Sequence, residues 1–294
     1  MGVPVYYKRH IDRDLNQVLS NAKVIVSELK NDGYRISESC RFSIFIKELS
    51  DLMKNGFVLE GHEFDITLLA EGIRDFAELS AIVKSKTIRQ ENRKDIQKLF
   101  GGSGKPSDDI LTQPRDFQFE LYLAALFDLS GFYVLIEEPD FLFKYENVTY
   151  SVAAKRINSE RKIHTRFSRA KEQIKKSGVK GFIAFSLDRI VWDKMKKDSY
   201  IITNNPETLY NAGQTVLHDL LKTKVKKAAW ANRDPFVLGH IASLTIPAIL
   251  PKSMSFGFSS NQLFIPSFDI SEESKAYRQI KELPQKIKWP VTTP

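Results

Sequence analysis

Apolar residues recur at three- and four-residue intervals through most of the first 110 residues, which is the spacing of amphipathic helices. Three such repeats end near Gly33, Gly56 and Ile82, and glycine favours the end of a helix. The charged segment at 84–100 either continues a helix as a solvated face or contacts nucleic acid. No alternating strand pattern appears between residues 11 and 110, so the sequence predicts an all-helical N-terminal domain.

A segment rich in glycine, serine and proline, GGSGKPSDD at 101–109, has the composition of a flexible linker. A phosphate-binding loop is excluded because Pro106 follows Lys105 in place of Ser or Thr, and no buried strand precedes the segment. The predicted regions are a helical domain at 1–110 with its linker at about 101–111, an α/β domain at 112–268, and a charged C-terminal tail at 269–294.

Helix and strand patterns alternate after the linker. An amphipathic helix ends at Gly131, and short aromatic and β-branched runs follow at 132–136 and 150–154. A basic amphipathic helix at 159–177 and an apolar strand at 181–188 complete the order helix, strand, strand, helix, strand. This order predicts a mixed α/β domain.

The pattern after residue 200 predicts a basic helix at 206–231 and one apolar core element at 237–249. A hairpin is expected at 254–265, with residues 259–261 as its turn. The charged residues from 269 onward are expected to be frayed.

Composition narrows the class of protein. Of 294 residues, 42% are hydrophobic and 27% are charged, which is typical of a globular protein able to bury a core. No window approaches the roughly 18 consecutive apolar residues of a membrane helix, and the sequence begins without a secretory signal pattern. We therefore expect no membrane partner and a cytoplasmic location. Cys40 is the one cysteine, which excludes an intrachain disulfide, and the net charge of +8 favours a polyanionic partner.

Three polar residues in the central stretch are candidates for chemistry. Glu120 falls on the predicted helix, Asp140 follows Pro139 after the first strand, and Lys155 ends the second strand. Carboxylates near strand ends suit Mg²⁺, which takes oxygen ligands and retains waters. Such a metal polarises a phosphodiester and acidifies a bound water, and a lysine stabilises the charge that develops. Convergence of the three residues would therefore indicate metal-dependent phosphodiester chemistry.

At these residues the chain resembles the PD-(D/E)xK nuclease superfamily, which has the restriction-endonuclease-like fold. Glu120 matches the helical glutamate, Pro139-Asp140 matches the PD pair, and Lys155 matches the lysine of the (D/E)xK motif. The resemblance covers about residues 112–190. It implies an α/β/α core with a mixed central sheet, and cleavage of DNA or RNA in a setting such as restriction or anti-phage defence.

The resemblance also implies a role for each residue. Asp140 and Glu120 are expected to ligate Mg²⁺ or Mn²⁺, and Lys155 is expected to orient the attacking water. Contacts with the substrate are expected from Arg156, Arg166, Arg169 and Gln173. A homodimer is possible, and the sequence does not determine the oligomeric state.

One position departs from the family pattern. The second acid of the motif would stand two residues before Lys155, where this chain has Ala153. Its loss is expected to weaken Mg²⁺ binding, because fewer carboxylates remain. Three accounts stay open: another acid enters the site, catalysis was lost while binding was kept, or the alanine is an introduced change. The acids considered are Glu120, Glu137, Glu138 and Glu160.

The leading hypothesis is a metal-dependent, nuclease-like protein that acts on DNA or RNA phosphodiesters. The alternative is a catalytically degenerate nuclease fold that serves to bind nucleic acid or another protein. A third hypothesis is a scaffold with no nucleic-acid role, whose basic residues only solvate its surface.

Overall fold

The computed structural model describes residues 5–55, 66–91, 93–105, 108–109, 112–190, 201–202, 205–250, 255–267 and 275–287. Within these ranges eight strands form one mixed sheet. The strands are β1 (Val5–Arg13), β2 (Tyr133–Leu135), β3 (Phe141–Tyr145), β4 (Val148–Arg156), β5 (Gly181–Ser186), β6 (Ile201–Ile202), β7 (Val237–Leu250) and β8 (Ser255–Pro266). The helices are α1 (Leu15–Asn31), α2 (Arg41–Asn55), α3 (Ile66–Lys84), α4 (Lys86–Glu91), α5 (Arg93–Lys98), α6 (Gln113–Leu129), α7 (Ile163–Ser177), α8 (Pro206–Leu220), α9 (Lys226–Ala231) and α10 (Lys275–Lys286). A π-helical turn, Leu221–Val225, joins α8 to α9.

The sheet has the strand order β1-β8-β7-β5-β4-β3-β2, with β6 beside β7. Strands β2, β3 and β4 are antiparallel neighbours, whereas β4, β5 and β7 run parallel. A two-residue turn at Glu146 and Asn147, both with positive φ, closes the β3–β4 hairpin. Consequently the beginning of β3, the end of β4 and the end of β5 lie at the same edge of the sheet.

The sheet separates two buried hydrophobic clusters. One contains side chains from α1 to α6, and the other contains side chains from α7, α8 and α9. Strand β4 contributes to both, because Val152 and Ala154 belong to the first cluster and Ala153 belongs to the second. A strand that is buried on both faces has a continuous apolar run, which explains the sequence at 152–154.

A buried ionic network joins α3 to α2, α6 and β4. Asp75 accepts hydrogen bonds from Arg41 at 2.5 Å and from Arg115 at 3.1 Å, while Glu78 pairs with Arg156 at 3.1 Å. Burial alone would raise the pKa of Asp75, but Arg41 and Arg115 outweigh it and hold that pKa well below its usual range. Asp75 is therefore ionised at neutral pH and fastens α3 to its neighbours.

The mixed α/β class predicted from the sequence is confirmed. The all-helical prediction for the N-terminal region is wrong at Val5–Arg13, which form β1 and pair with β8. Strand pairing across such a sequence distance leaves no signal in the local hydrophobic pattern. The domain boundary at 101–111 stays a prediction, and helices on both sides of it contribute to one hydrophobic cluster.

Two predictions for the C-terminal region are also wrong. The hairpin expected at 254–265 is one continuous strand, β8, because it pairs with β7 on one side and with β1 on the other. The tail expected to be frayed contains α10, in which Tyr277, Ile280 and Leu283 are buried at helical spacing. Strand β3 was not predicted separately from its neighbours. Parts of these predictions lie outside the described residues: Gly56, Pro106, Met254, 268–274 and 288–294.

Replacing Gly181 by alanine is expected to disrupt the pairing of β4 with β5. A Cβ atom at this position would lie 1.8 Å from the carbonyl oxygen of Ser151, which is backbone and cannot rotate away. We expect the free energy of unfolding, measured in urea, to fall by about 3 kcal/mol, the upper end of the usual cost of overpacking.

Gly178→Ala is the matched control for this substitution. Nothing lies within 4 Å of a Cβ at Gly178, so its cost is limited to the left-handed φ of 71°. That conformation costs an alanine about 1–2 kcal/mol. Equal losses in the two variants would contradict the steric explanation.

Candidate functional site

Asp140 and Lys155 meet at the edge of the sheet where β3 begins and β4 ends. Lys155 Nζ lies 2.8 Å from Asp140 Oδ2, and the backbone N–H of Ala154 donates to the same oxygen at 2.6 Å. The side chains of Lys155 and Asp140 are 10% and 11% exposed. The hairpin register explains the contact between Asp140 and Lys155. It pairs Phe141 with Val152, so that Asp140, the residue before β3, lies beside the end of β4.

The Asp140 carboxyl has an unusual acidity. Burial raises its pKa from 3.8 to about 6, and the charge of Glu138 adds to the increase. The Lys155 ammonium and the Ala154 N–H act in the opposite direction. The carboxyl therefore changes charge not far below neutral pH.

A cavity of about 490 Å³ lies beside this pair, lined by residues of α6, α7 and the end of β4. Six of the residues predicted from the sequence line it: Glu120, Lys155, Arg156, Arg166, Arg169 and Gln173. Asp140 is not among the lining residues and contacts this wall through Lys155. The structure thus brings together most of the predicted set, although its chemical roles stay predictions.

The α6 wall carries two carboxylates, Asp116 and Glu120, four residues apart on one helical face. Thr112 Oγ1 donates to Asp116 at 3.1 Å, and Arg166 lies 3.9 Å from it. Burial raises the pKa of Asp116, while Arg156 and Arg166 oppose that shift. Asp116 was not predicted, but its position one turn before Glu120 is a signal that could have identified it.

The α7 wall is mainly basic. Arg166, Arg169 and Lys176 line the cavity, and Glu172 is the one acid that α7 adds to it. The apolar stripe of α7 is buried against the sheet, and the side of the helix that carries Arg166, Arg169 and Lys176 faces the cavity. Sequence reasoning identified the basic helix and two of these cations but missed Lys176 and Glu172.

Gln173 connects α7 to the loop before β3. Its Nε2 donates to the carbonyl oxygen of Pro139 at 3.3 Å. Because Pro139 immediately precedes Asp140, this bond fixes the loop that presents the carboxylate. Gln173 therefore has a clear structural contact, and its predicted contact with a substrate stays a prediction.

Arg156 is buried, with 1% of its side chain exposed. Its Nη2 lies 3.1 Å from Glu78 Oε2, and its guanidinium lies 5.8 Å from the centre of the Phe119 ring. Arg156 lines the cavity but is paired with Glu78, so its expected phosphate contact stays a prediction.

The residues present do not fit a resident Mg²⁺ or Mn²⁺ ion. Ala153 is fully buried, and Asp140 Oδ2 already accepts hydrogen bonds from Lys155 and Ala154. Across the described ranges, no three His, Cys, Asp or Glu side chains are grouped so that they could hold a metal ion. Of the acids considered as replacements, Glu120 lines the cavity. The others do not line it: Glu137 and Glu138 lie on the exposed loop before β3, where the charge of Glu138 still acts on Asp140, and Glu160 lies in the 3-10 turn before α7.

Comparison with known proteins gives no family assignment, because no protein-family model, curated protein or solved structure matches this chain. Membership of the PD-(D/E)xK superfamily therefore stays a resemblance. Among the helices in the described ranges, none combines the length and apolar character needed to cross a membrane.

Asp140→Asn is expected to change how stability depends on pH. Because the folded-state pKa is raised, the folded protein holds this proton more tightly than the unfolded chain does. The free energy of unfolding of the unsubstituted protein should therefore decrease as pH rises from about 4 to about 6, by up to about 3 kcal/mol from this group. Urea denaturation between these pH values should show a flatter profile for the variant. Parallel profiles would contradict the assignment.

Proposed function

We propose that the cavity between α6 and α7 binds the phosphodiester backbone of a nucleic acid. The observation that carries the proposal is the cationic wall of the cavity, formed by Lys155, Arg166, Arg169 and Lys176. Arginine and lysine are the side chains that hold phosphate oxygens, and arginine does so in bidentate geometry. A volume of about 490 Å³ falls within the range of small-ligand sites.

A polymeric anion is favoured over a free small anion for two reasons. The whole chain carries a net charge of +8, which attracts polyanions over distances longer than a hydrogen bond. The segment 112–190 also runs helix, three strands, helix, strand, with Asp140 and Lys155 in contact at the end of the hairpin. That arrangement supports the resemblance to a nuclease core, and nucleic acid is what such cores bind.

The double variant Arg166→Ala/Arg169→Ala should bind nucleic acid at least about tenfold more weakly, because each lost charged hydrogen bond costs about 1.5–3 kcal/mol. The slope of log affinity against log salt should also flatten by about 0.7 per lost contact on a single strand. Fluorescence anisotropy with labelled DNA and RNA strands of about 20 nucleotides, between about 50 and 200 mM salt, measures both the affinity and its salt dependence.

Lys23→Ala/Lys30→Ala is the matched control, since both lysines are exposed on α1 and α1 does not line the cavity. It removes the same charge and should leave affinity within about twofold, because exposed cations away from the contact act only through screened attraction. If the two double variants weaken binding equally, the cavity has no special role and the proposal fails.

Phosphodiester hydrolysis is the second candidate function, favoured by the contact between Asp140 and Lys155. A carboxyl with a pKa of about 6 can accept a proton near neutral pH. The Lys155 ammonium could stabilise charge on a phosphate in the cavity. The resemblance implies that Mg²⁺ or Mn²⁺ takes part, but the acids present do not complete a site for it, and binding is therefore our first proposal.

The substitutions Asp140→Asn and Lys155→Met separate the two functions. If the cavity only binds, Asp140→Asn should strengthen binding, because Lys155 loses its neutralising partner, and no variant should release product. If the protein hydrolyses its ligand, both variants should abolish cleavage while their circular dichroism stays unchanged. The assay uses single- and double-stranded DNA and RNA with Mg²⁺, Mn²⁺ or EDTA. Product that persists in both variants would exclude this pair from the chemistry.

A further inference from the structure

The positive charge of the chain is concentrated in two short segments. Residues 161–180 and 220–233 contain thirteen lysines and arginines and a single acid, Glu172. The whole chain has 44 basic and 36 acidic residues, so the remainder contains more acids than bases. On a surface that is charged only for solubility, cations are expected to be interspersed with acids rather than grouped in two segments.

These two segments lie together on one face of the sheet. Helices α7 and α9 contact each other, and their inward side chains belong to the same hydrophobic cluster. In the second segment Leu221, Val225 and Ala228 are buried, which turns the intervening residues outward. The exposed cations there are Lys222, Lys224, Lys226, Lys227 and Arg233.

An aromatic side chain stands at the end of this row of cations. Trp230 is 52% exposed, and the Arg233 guanidinium lies 4.5 Å from the centre of its ring. Lys226 precedes Trp230 by one helical turn and shares its exposed side. Cations that follow a phosphate backbone, combined with an aromatic ring on which a base can stack, are the features that bind single strands without sequence preference.

We propose that the basic helical surface binds a single strand of nucleic acid outside the cavity. This surface consists of the exposed side chains of α7 that do not line the cavity, together with those of the π-helical turn and of α9 as far as Arg233. One base of that strand stacks on Trp230. The inference rests on the nucleic-acid partner of the proposed function and adds to it the strandedness of that partner. A duplex fits this surface less well, because its bases are already stacked on one another and cannot offer a face to Trp230.

The test compares Trp230→Ala with Trp230→Phe on labelled single strands and duplexes of equal length. Loss of one stacked base should weaken single-strand binding about 5- to 150-fold, which corresponds to about 1–3 kcal/mol. Phenylalanine should recover most of this loss, and duplex binding should change by less than about twofold, since no base face is available there. Because Trp230 is half exposed, we expect both variants to keep the fold, and an unchanged melting temperature checks this.

Tyr133→Ala is the matched control. Tyr133 is 57% exposed and has the Lys144 ammonium 5.1 Å from its ring centre, but it lies on β2, away from the basic helical surface. It should leave both affinities unchanged. A loss equal to that of Trp230→Ala, or an equal loss on single strands and duplexes, would overturn the stacking role.

Parallel measurement of the cavity variant Arg166→Ala/Arg169→Ala distinguishes the two proposals. Weaker binding in the cavity variant with unchanged binding in Trp230→Ala overturns this inference and leaves the cavity proposal intact. The reverse result supports the basic helical surface and overturns the cavity. Failure of the unsubstituted protein to bind any strand at low salt overturns both.

Discussion

The rest of the structure depends on the double pairing of β4. This strand is antiparallel to β3 on one side and parallel to β5 on the other, and its side chains are buried on both faces. Two hydrogen-bonded neighbours leave its register no freedom, and a slip of one residue would exchange the faces of all its side chains. The register therefore determines that Lys155 contacts Asp140, that Arg156 contacts Glu78, and that Ala153 lies beneath α7.

The same constraint determines the electrostatics of the candidate site. A carboxylate at position 153 would be buried close to Asp140, and two such acids raise each other's pKa unless a cation separates them. With Ala153 in place, the single Lys155 ammonium neutralises the single Asp140 carboxylate, and the backbone N–H of Ala154 donates to the same carboxylate oxygen. This charge-balanced edge needs no further cation to be stable, which is why binding is a better match to the residues than metal-assisted hydrolysis.

Local features of the sequence were sufficient to predict much of the site, because helix periodicity and strand ends are local properties. The convergence of Asp140 and Lys155 was predicted from two local signals, a proline and a strand terminus, and the structure brings the two residues together. Strand β1 and the unbroken β8 could not be predicted, since each depends on a partner distant in the chain. The burial of Arg156 was missed for the same reason, because Glu78 lies on α3 and no local pattern links them.

Helix α7 relates the two proposed contact surfaces. Its apolar stripe is buried on the sheet, one side lines the cavity through Arg166 and Arg169, and its remaining exposed residues belong to the basic helical surface. An α-helix with its side chains is about 10–12 Å across, close to the Debye length of about 8–10 Å at ordinary salt. Cations on different sides of α7 are therefore close enough to attract the same polyanion together. Outside the two basic segments the chain has more acids than bases, so the net attraction for a polyanion comes from these segments.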